Sequence, residues 1–264
     1  MVIDQVRTLV RYRPLIRSLV SRDLKARYRG SLLGFFWSFI NPLLLLITYG
    51  LVFTYVLPAR HSPAMEPYLL FFACGILPWT WFQSSLAVAS GVLIAGGNLI
   101  KKVLFPAEVL PVVTVFANLA QMLLALPILA LFLLYQGRLS AGALWVVLPI
   151  LVQLVFTLGF ALLLSALTVH FRDIRDLLAN LLQLWFFATP IIYYWRQENV
   201  LRFKPLFDLN PFTHLAISYQ EILFFPGPFG HWKWLVALLA MSCGMFLFGY
   251  FLFDRLRDSF AEEV

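Results

Sequence analysis

The chain alternates long apolar runs with short polar breaks. Six runs reach the ~20 residues that a helix needs to cross a hydrocarbon core of roughly 30 Å. They fall at about 31–57, 68–96, 107–135, 143–169, 174–195 and 232–253. Several exceed the minimum, which permits tilt or breaks. Pro42, Pro78, Pro127 and Pro190 lie inside runs, and each is expected to kink its helix or interrupt a hydrogen bond. The pattern predicts an all-α membrane protein with six transmembrane helices.

Residues 1–29 are too charged to cross. Val6, Leu9 and Val10, then Ile16, Leu19 and Val20, recur at three- and four-residue spacing, while Arg7, Arg11, Arg17, Arg22 and Lys25 lie largely off that stripe. This predicts an amphipathic helix in the membrane interface, its second piece opened by Pro14. It serves either as a basic anchor or as a docking surface for a cytoplasmic partner. Arg22, Lys25, Arg27 and Arg29 stand directly before the first run, and Gly30 and Gly34 frame a tight turn into Phe35, Phe36, Trp37 and Phe39.

Most connections are short, and the exception is 196–231. Asn210-Pro211 predicts a helix start, with Phe212, Leu215, Tyr219 and Ile222 on one face and His214, Ser218 and Glu221 elsewhere. At about fifteen residues this helix is too short and too polar to span. It reads as a re-entrant or interfacial segment closing near Pro226-Gly227-Pro228, either a lid or an ordinary amphipathic loop. The organisation expected is a cytoplasmic amphipathic segment (1–29) and a single transmembrane domain (30–264), with an outer gate segment at 196–231.

Composition sharpens the class. The chain is 61% apolar and 12% charged, with a mean hydropathy of +0.84. Soluble domains sit near half apolar and about a quarter charged, so this is an integral membrane protein. A net charge of +7 raises nucleic acid as a partner, but the cations concentrate at the ends of the runs. Contact with anionic lipid at the inner leaflet explains them better. With six crossings, 14 Lys and Arg side chains fall on the face bearing both termini and six on the other, which makes the first face cytoplasmic. The first run starts well into the chain and is longer than the roughly 7–15 residues of a signal core, so no cleaved leader is expected. Cys74 and Cys243 lie within runs and read as small hydrophobes.

Enzyme signals are missing. There is no G-x-x-x-x-G-K-[ST] loop, no H-E-x-x-H or Cys/His cluster and no G-x-S-x-G elbow; His61, His170, His214 and His231 are scattered. Runs one to three and six carry almost no ionisable groups, against a proton or sodium relay. No catalytic residue, cofactor or metal is expected in this chain. The acidic pair in Arg172-Asp173-Ile174-Arg175-Asp176 could hold a divalent metal for a polyprenyl-phosphate enzyme. Acids in a first helical turn complementing its dipole, with arginines reaching headgroups, is the stronger reading. The turn Gly96-Gly97-Asn98-Leu99-Ile100-Lys101-Lys102-Val103-Leu104-Phe105-Pro106 sets an apolar Leu-Phe knob beside cations on a cytoplasmic loop. It suits the groove of a soluble partner, although interfacial snorkelling explains it too.

Four stretches carry a resemblance that covers nearly the whole chain in order: RYRGSLLGFFWSFINPLLLLITYGLVF, GNLIKKVLFPAEVLPV, FRDIRDLLANLLQLWFFATPIIY and NPFTHLAISYQEILF. They resemble the permease subunits of ABC exporters for polysaccharides and polyol phosphates, a family that includes O-antigen, capsule and teichoic-acid exporters. The resemblance implies two permease copies paired with two copies of a separate nucleotide-binding subunit, which uses the ATP and Mg. It implies a homodimer in the bacterial cytoplasmic membrane that exports a lipid-linked polymer. O-antigen is taken first on family frequency alone.

The amphipathic helix and the turn Asn98, Ile100, Lys101, Lys102, Val103, Leu104, Phe105 and Pro106 would touch the ATPase. Spans one and five would line a path at the dimer interface, gated outside by short helices near 198–225. The gate residues would be Asn210, Pro211, Phe212, His214, Tyr219 and Glu221. Aromatic faces suit sugar C–H surfaces. The candidates are Phe35, Phe36, Trp37, Phe39, Tyr49, Phe53 and Tyr55, with Trp185, Phe186, Phe187, Tyr193, Tyr194 and Trp195. Interfacial belts account for some of them. Arg22, Lys25, Arg27 and Arg29 would receive the pyrophosphate headgroup, with anionic phospholipid as the plainer ligand. Two rival functions remain, a small-molecule or drug ABC permease and a membrane-embedded polyprenyl-phosphate transferase.

Overall fold

Local sequence cues decide where each helix starts and stops. The computed structural model describes residues 11–27, 29–31, 33–56, 62–102 and 106–263, which are helical with no strand. The amino-terminal stripe at Val6, Leu9 and Val10, with Arg7, Arg60 and His61, lies outside the described residues. Helix α1 (Arg13–Arg27) carries Pro14 in its first turn and Lys25 and Arg27 in its last, both positions that suit those residues. Gly30 (φ +80°) and Gly34 (φ +49°) then turn the chain, a conformation that a side chain disfavours.

A 3₁₀ turn (Gly34–Phe36) leads into α2 (Trp37–Leu51), which continues as a π-helical stretch, Val52–Val56. Helix α3 (Tyr68–Ala95) is followed by the short α4 (Gly97–Lys102) and by α5 (Val109–Tyr135). A 3₁₀ stretch (Ala141–Val146) opens α6 (Val147–His170), and α7 (Ile174–Phe187) comes next. Three short helices follow: α8 (Glu198–Leu201), α9 (Lys204–Leu209) and α10 (Pro211–Leu223). The chain ends with α11 (Trp232–Leu256) and α12 (Phe260–Glu263).

Among the described residues, α3, α5, α6 and α11 are long and apolar enough to cross a membrane. The first and fifth runs form shorter helices than their hydropathy predicts. Helix α7 has 14 residues, about 21 Å at ~1.5 Å per residue, and α2 has 15, carried on to Val56 by its π-helical continuation. Helix α7 stops ahead of Pro190, which has no N–H to donate and whose ring disfavours helical backbone at Thr189. Pro42, Pro78 and Pro127 instead sit within α2, α3 and α5.

Helix α3 is the hub. It is buried along most of its length and packs against α2, α5, α6, α7 and α10. Its aromatic side chains are large enough to reach several neighbours at once: Trp79 and Phe82 both meet Trp185 and Phe212, and Phe82 stacks on Phe156. Gln153 of α6 donates to the Pro78 carbonyl at 2.8 Å, a bond made inside the bundle beside the proline. The most extensive helix contact joins α6 and α11, whose backbones meet at Gly159 and Gly249. Two missing side chains permit that approach.

Candidate functional site

The cations of α1 separate into two groups. Arg22, Lys25 and Arg29, with Arg13 and Arg17, line one open face along the helix. Arg27 turns the other way, because α1 packs on α5 and that surface offers acceptors. Its Nη1 donates to Asn118 Oδ1 (2.8 Å) and Gln121 Oε1 (3.1 Å), and its Nε donates to Asp23 Oδ2 (2.9 Å). Asp23 also pairs with Nη2 at 2.9 Å. The structure therefore places Arg27 as a tie between the interface helix and α5, apart from the three cations with which the sequence groups it.

On the turn between α3 and α5, Asn98 and Lys101 are exposed and Pro106 is buried. Val103, Leu104 and Phe105 lie outside the described residues, as do the side chains of Ile100 and Lys102. Helix α4 packs beside the carboxyl-terminal α12. Just beyond stands Glu108, 2% exposed, with Oε2 lacking a hydrogen-bond partner among the described residues. The sequence reading passed over it, although it is the only acidic residue between Glu66 and Asp173.

The aromatic candidates divide between surface and core. Phe36 (67% exposed), Tyr55 (76%) and Phe187 (56%) face outward. Trp37 and Phe39 are half-buried, and the side chains of Phe35 and Phe53 lie outside the described residues. Tyr49 stacks on Phe72, and Phe186 packs on Trp79. The Tyr193 hydroxyl donates to the Phe187 carbonyl at 3.1 Å, Tyr194 meets Phe225, and Trp195 lies under the Arg196 guanidinium. Around the exposed members, Leu44, Ile47 and Leu51 of α2 and Leu177, Leu181 and Leu184 of α7 are also uncovered. Asn41, Thr48, Asn180 and Gln183 are exposed among them. Apolar and amide side chains thus share the uncovered faces of two short helices that both pack on α3.

The segment between α7 and α11 is built around Asn210. As expected, it caps a helix, its Oδ1 accepting from Phe212 N at 3.0 Å. The same oxygen accepts from Trp185 Nε1 (2.7 Å), while Nδ2 donates to Ala188 O (3.0 Å) and Thr189 Oγ1 (3.1 Å). One amide thus joins the end of α7 to the start of α10. Helix α10 is buried on nearly every side rather than amphipathic at a surface, with Phe212 and Tyr219 fully enclosed and His214 and Ser218 buried as well. The Ser218 hydroxyl donates to His214 O at 2.7 Å and Gln220 Nε2 to Pro190 O at 2.9 Å, while Thr213 Oγ1, the Tyr219 hydroxyl and Gln220 Oε1 are buried with no hydrogen-bond partner among the described residues.

His214 Nε2 donates to the Asp208 carbonyl (3.0 Å), because a carbonyl only accepts. That leaves His214 Nδ1 to accept from His231 Nε2 (3.0 Å). Trp234 stacks on His214 at 4.1 Å, and Glu221 Oε2 accepts from the backbone N–H of Gly230 and His231. Burial lowers the pKa of His214. Burial, aided by the neighbouring His214, pushes His231 down to about 4. Sequence reading took His231 only as one of four scattered histidines and did not single out Trp234, because both reach α10 only through the fold. Arg138 is a further tie on this side, donating to Glu66 O (2.7 Å) and Phe224 O (3.2 Å) while lying over the Phe224 ring.

The arrangement is a helical bundle with a basic amino-terminal helix, two short helices exposing mixed faces and a pinned segment between α7 and α11. Against known proteins, the ABC-2 type transporter family matches residues 14–224. An O-antigen export system permease protein RfbA of Myxococcus xanthus is 39% identical over 263 residues, covering 98% of each chain. Two proteins of that name from Klebsiella pneumoniae are 31% and 29% identical over 253 and 252 residues, each alignment covering 94% of both chains.

Proposed function

This chain belongs to the ABC-2 type transporter family, and from that premise we propose that it is the membrane subunit of an O-antigen exporter. Its cargo is a lipid-linked polysaccharide, and ATP hydrolysis in a separate subunit drives it. The observation that carries this reading is the near-full-length similarity to O-antigen export permeases. A chain matched from end to end shares the whole transport body rather than one module.

Two copies of the chain, each gripped by one ATPase, form the working unit in the cytoplasmic membrane, with both termini inside. The six crossings comprise the four long helices plus α2 with its π-helical continuation and the shorter α7, both of which expose amides beside leucines. Polar side chains are costly in hydrocarbon, so these faces suit a second copy and a hydrated path between the copies. Exposed Phe36, Tyr55 and Phe187 supply ring surface to sugars there. The basic wall of α1 at Arg22, Lys25 and Arg29 receives the phosphate-bearing headgroup. The turn at Asn98–Pro106 and the outer face of α1 meet the ATPase. Arg27 passes motion of α1 to α5 through Asn118 and Gln121. The segment pinned by Asn210, His214 and Glu221 gates the outer end.

The test is genetic. Deleting the gene should remove polymer from the cell surface, and the wild-type gene should restore it. Unchanged surface glycan in the deletion strain would overturn the reading.

A further inference from the structure

A second apolar cluster, separate from the main core around α3, closes one end of the bundle. It gathers Leu93 from the end of α3, Ala107 and Leu110 from the start of α5, and side chains from the last turns of α6 and α11. Phe260 lies within it, 1% exposed, although it follows α11 near the end of the chain. Its ring meets Phe253 edge-on at 5.1 Å and lies 6.4 Å from the His170 ring.

Phe260 opens α12, which α11 reaches through a 3₁₀ turn, Arg257–Ser259. A helix of four residues cannot hold itself by backbone bonds, so side-chain contacts must fix it. The Ser259 hydroxyl donates to Leu256 O at 2.7 Å, which leaves its oxygen to accept from His170 Nε2 at 3.0 Å. Arg257, Asp258 and Glu263 around it are exposed. The buried contact of this segment is therefore the Phe260 ring, with Ser259 as a lesser tie.

What the ring is fastened to gives the segment a role. Leu93 stands just before the turn between α3 and α5, and Ala107 and Leu110 stand just after it. The two feet of that turn touch, because a Cβ built at Gly96 would lie 2.7 Å from Leu110 Cδ1, space that glycine leaves to the leucine. Helix α12 packs both on α4, inside the turn, and on α6. On the other side of α4, Asn98, Leu99 and Lys101 are uncovered.

We propose that Phe260 is a positioning residue, through which the carboxyl-terminal segment braces the turn between α3 and α5 and sets the surface that the ATPase subunit grips. The grip clause rests on the exporter reading, while the brace clause stands on the contacts of this chain alone.

Hydrogen exchange on the full-length chain in detergent tests the brace. Amides across 97–102 should exchange about fivefold or more faster in Phe260→Ala than in the wild type, and Phe260→Leu should recover most of the protection. Leu235, on α11 but buried in the main core, supplies the control: Leu235→Ala should leave these amides as they are in the wild type. Phe260→Val, a smaller truncation, is read by the same criteria where Phe260→Ala does not fold. Unchanged exchange across 97–102, or equal quickening in Leu235→Ala, overturns the brace.

The grip clause is read with the ATPase subunit that co-purifies with the wild-type chain. It should bind Phe260→Ala about fivefold or more weakly, with Phe260→Leu close to the wild type. Undiminished binding by a variant whose turn has loosened overturns that clause. The exporter reading fails separately, when the wild-type chain co-purifies with no ATPase.

Discussion

Replacing Gly249 with Ala should loosen the largest helix contact in the bundle. A Cβ built at Gly249 lies 2.3 Å from the Gly159 carbonyl oxygen and 3.1 Å from its carbon. Ordinary C···O contacts sit near 3.3 Å, so α6 and α11 would have to part by about 1 Å. Gaps of 0.5–1 Å forfeit roughly a quarter to a half of each dispersion contact. The obstacle is backbone, which cannot swing aside like a side-chain tip. Overpacking typically costs about 1–3 kcal/mol, and this case belongs at the upper end. At about 2–4 °C per kcal/mol for a chain of this size, the melting temperature in detergent should fall by roughly 6–12 °C.

Gly244, on the same helix, has nothing within 4 Å of its own built Cβ, so Gly244→Ala is the control. It should be neutral or slightly stabilising, since Ala favours a helix by up to about 1 kcal/mol over Gly. Fluorescence-detected size exclusion after a heating series reads both variants. Equal melting of Gly249→Ala and Gly244→Ala would refute the claim that the two backbones touch.

Three other perturbations follow from the ties described above. Asn210→Ala removes a cap typically worth ~1 kcal/mol and strands the Trp185 N–H, so thermal stability and surface glycan should both fall, with Asn210→Asp intermediate because it still accepts. Arg27→Lys cannot span Asp23, Asn118 and Gln121 together, so ATP hydrolysis by the assembled transporter should persist while export drops. His231, held near 4 in the fold against 6.5 as its reference, takes up protons more readily when unfolded, so stability should decline as pH falls from about 6.5 toward 4. The slope is at most ~1.4 kcal/mol per pH unit, and His231→Phe should flatten it in melts across that range.

How much of this was legible in the sequence depended on whether the signal was local. The four long helices follow from uninterrupted apolar runs, and Asn210-Pro211 announced its own cap. The lengths of α2 and α7 were not legible, because hydropathy continues through Phe35 and Phe36 before α2 and through Pro190-Ile191-Ile192 after α7. The backbone is not regular α-helix in either place. Residue type sets hydropathy, but glycine torsions and the missing proline N–H set helix length.

Helix α10 looked amphipathic because His214, Ser218 and Glu221 are polar. The partners of His214 and Glu221, His231 and the Gly230 backbone among them, are brought up by the turn that follows, and Ser218 bonds within its own helix, so these three side chains are met inside the fold. Arg27 was grouped with its cationic neighbours by position alone. Its acceptor Asn118 lies 91 residues away, beyond the reach of any periodicity. Glu108 was visible as an isolated acid, but its enclosure was not.

Reconstitution in vesicles separates the conduit from its motor. The purified chain alone, supplied with ATP and Mg, should neither hydrolyse nucleotide nor move a lipid-linked glycan. Adding the ATPase subunit should start both together. Hydrolysis or glycan movement by the chain alone would contradict this description of the protein.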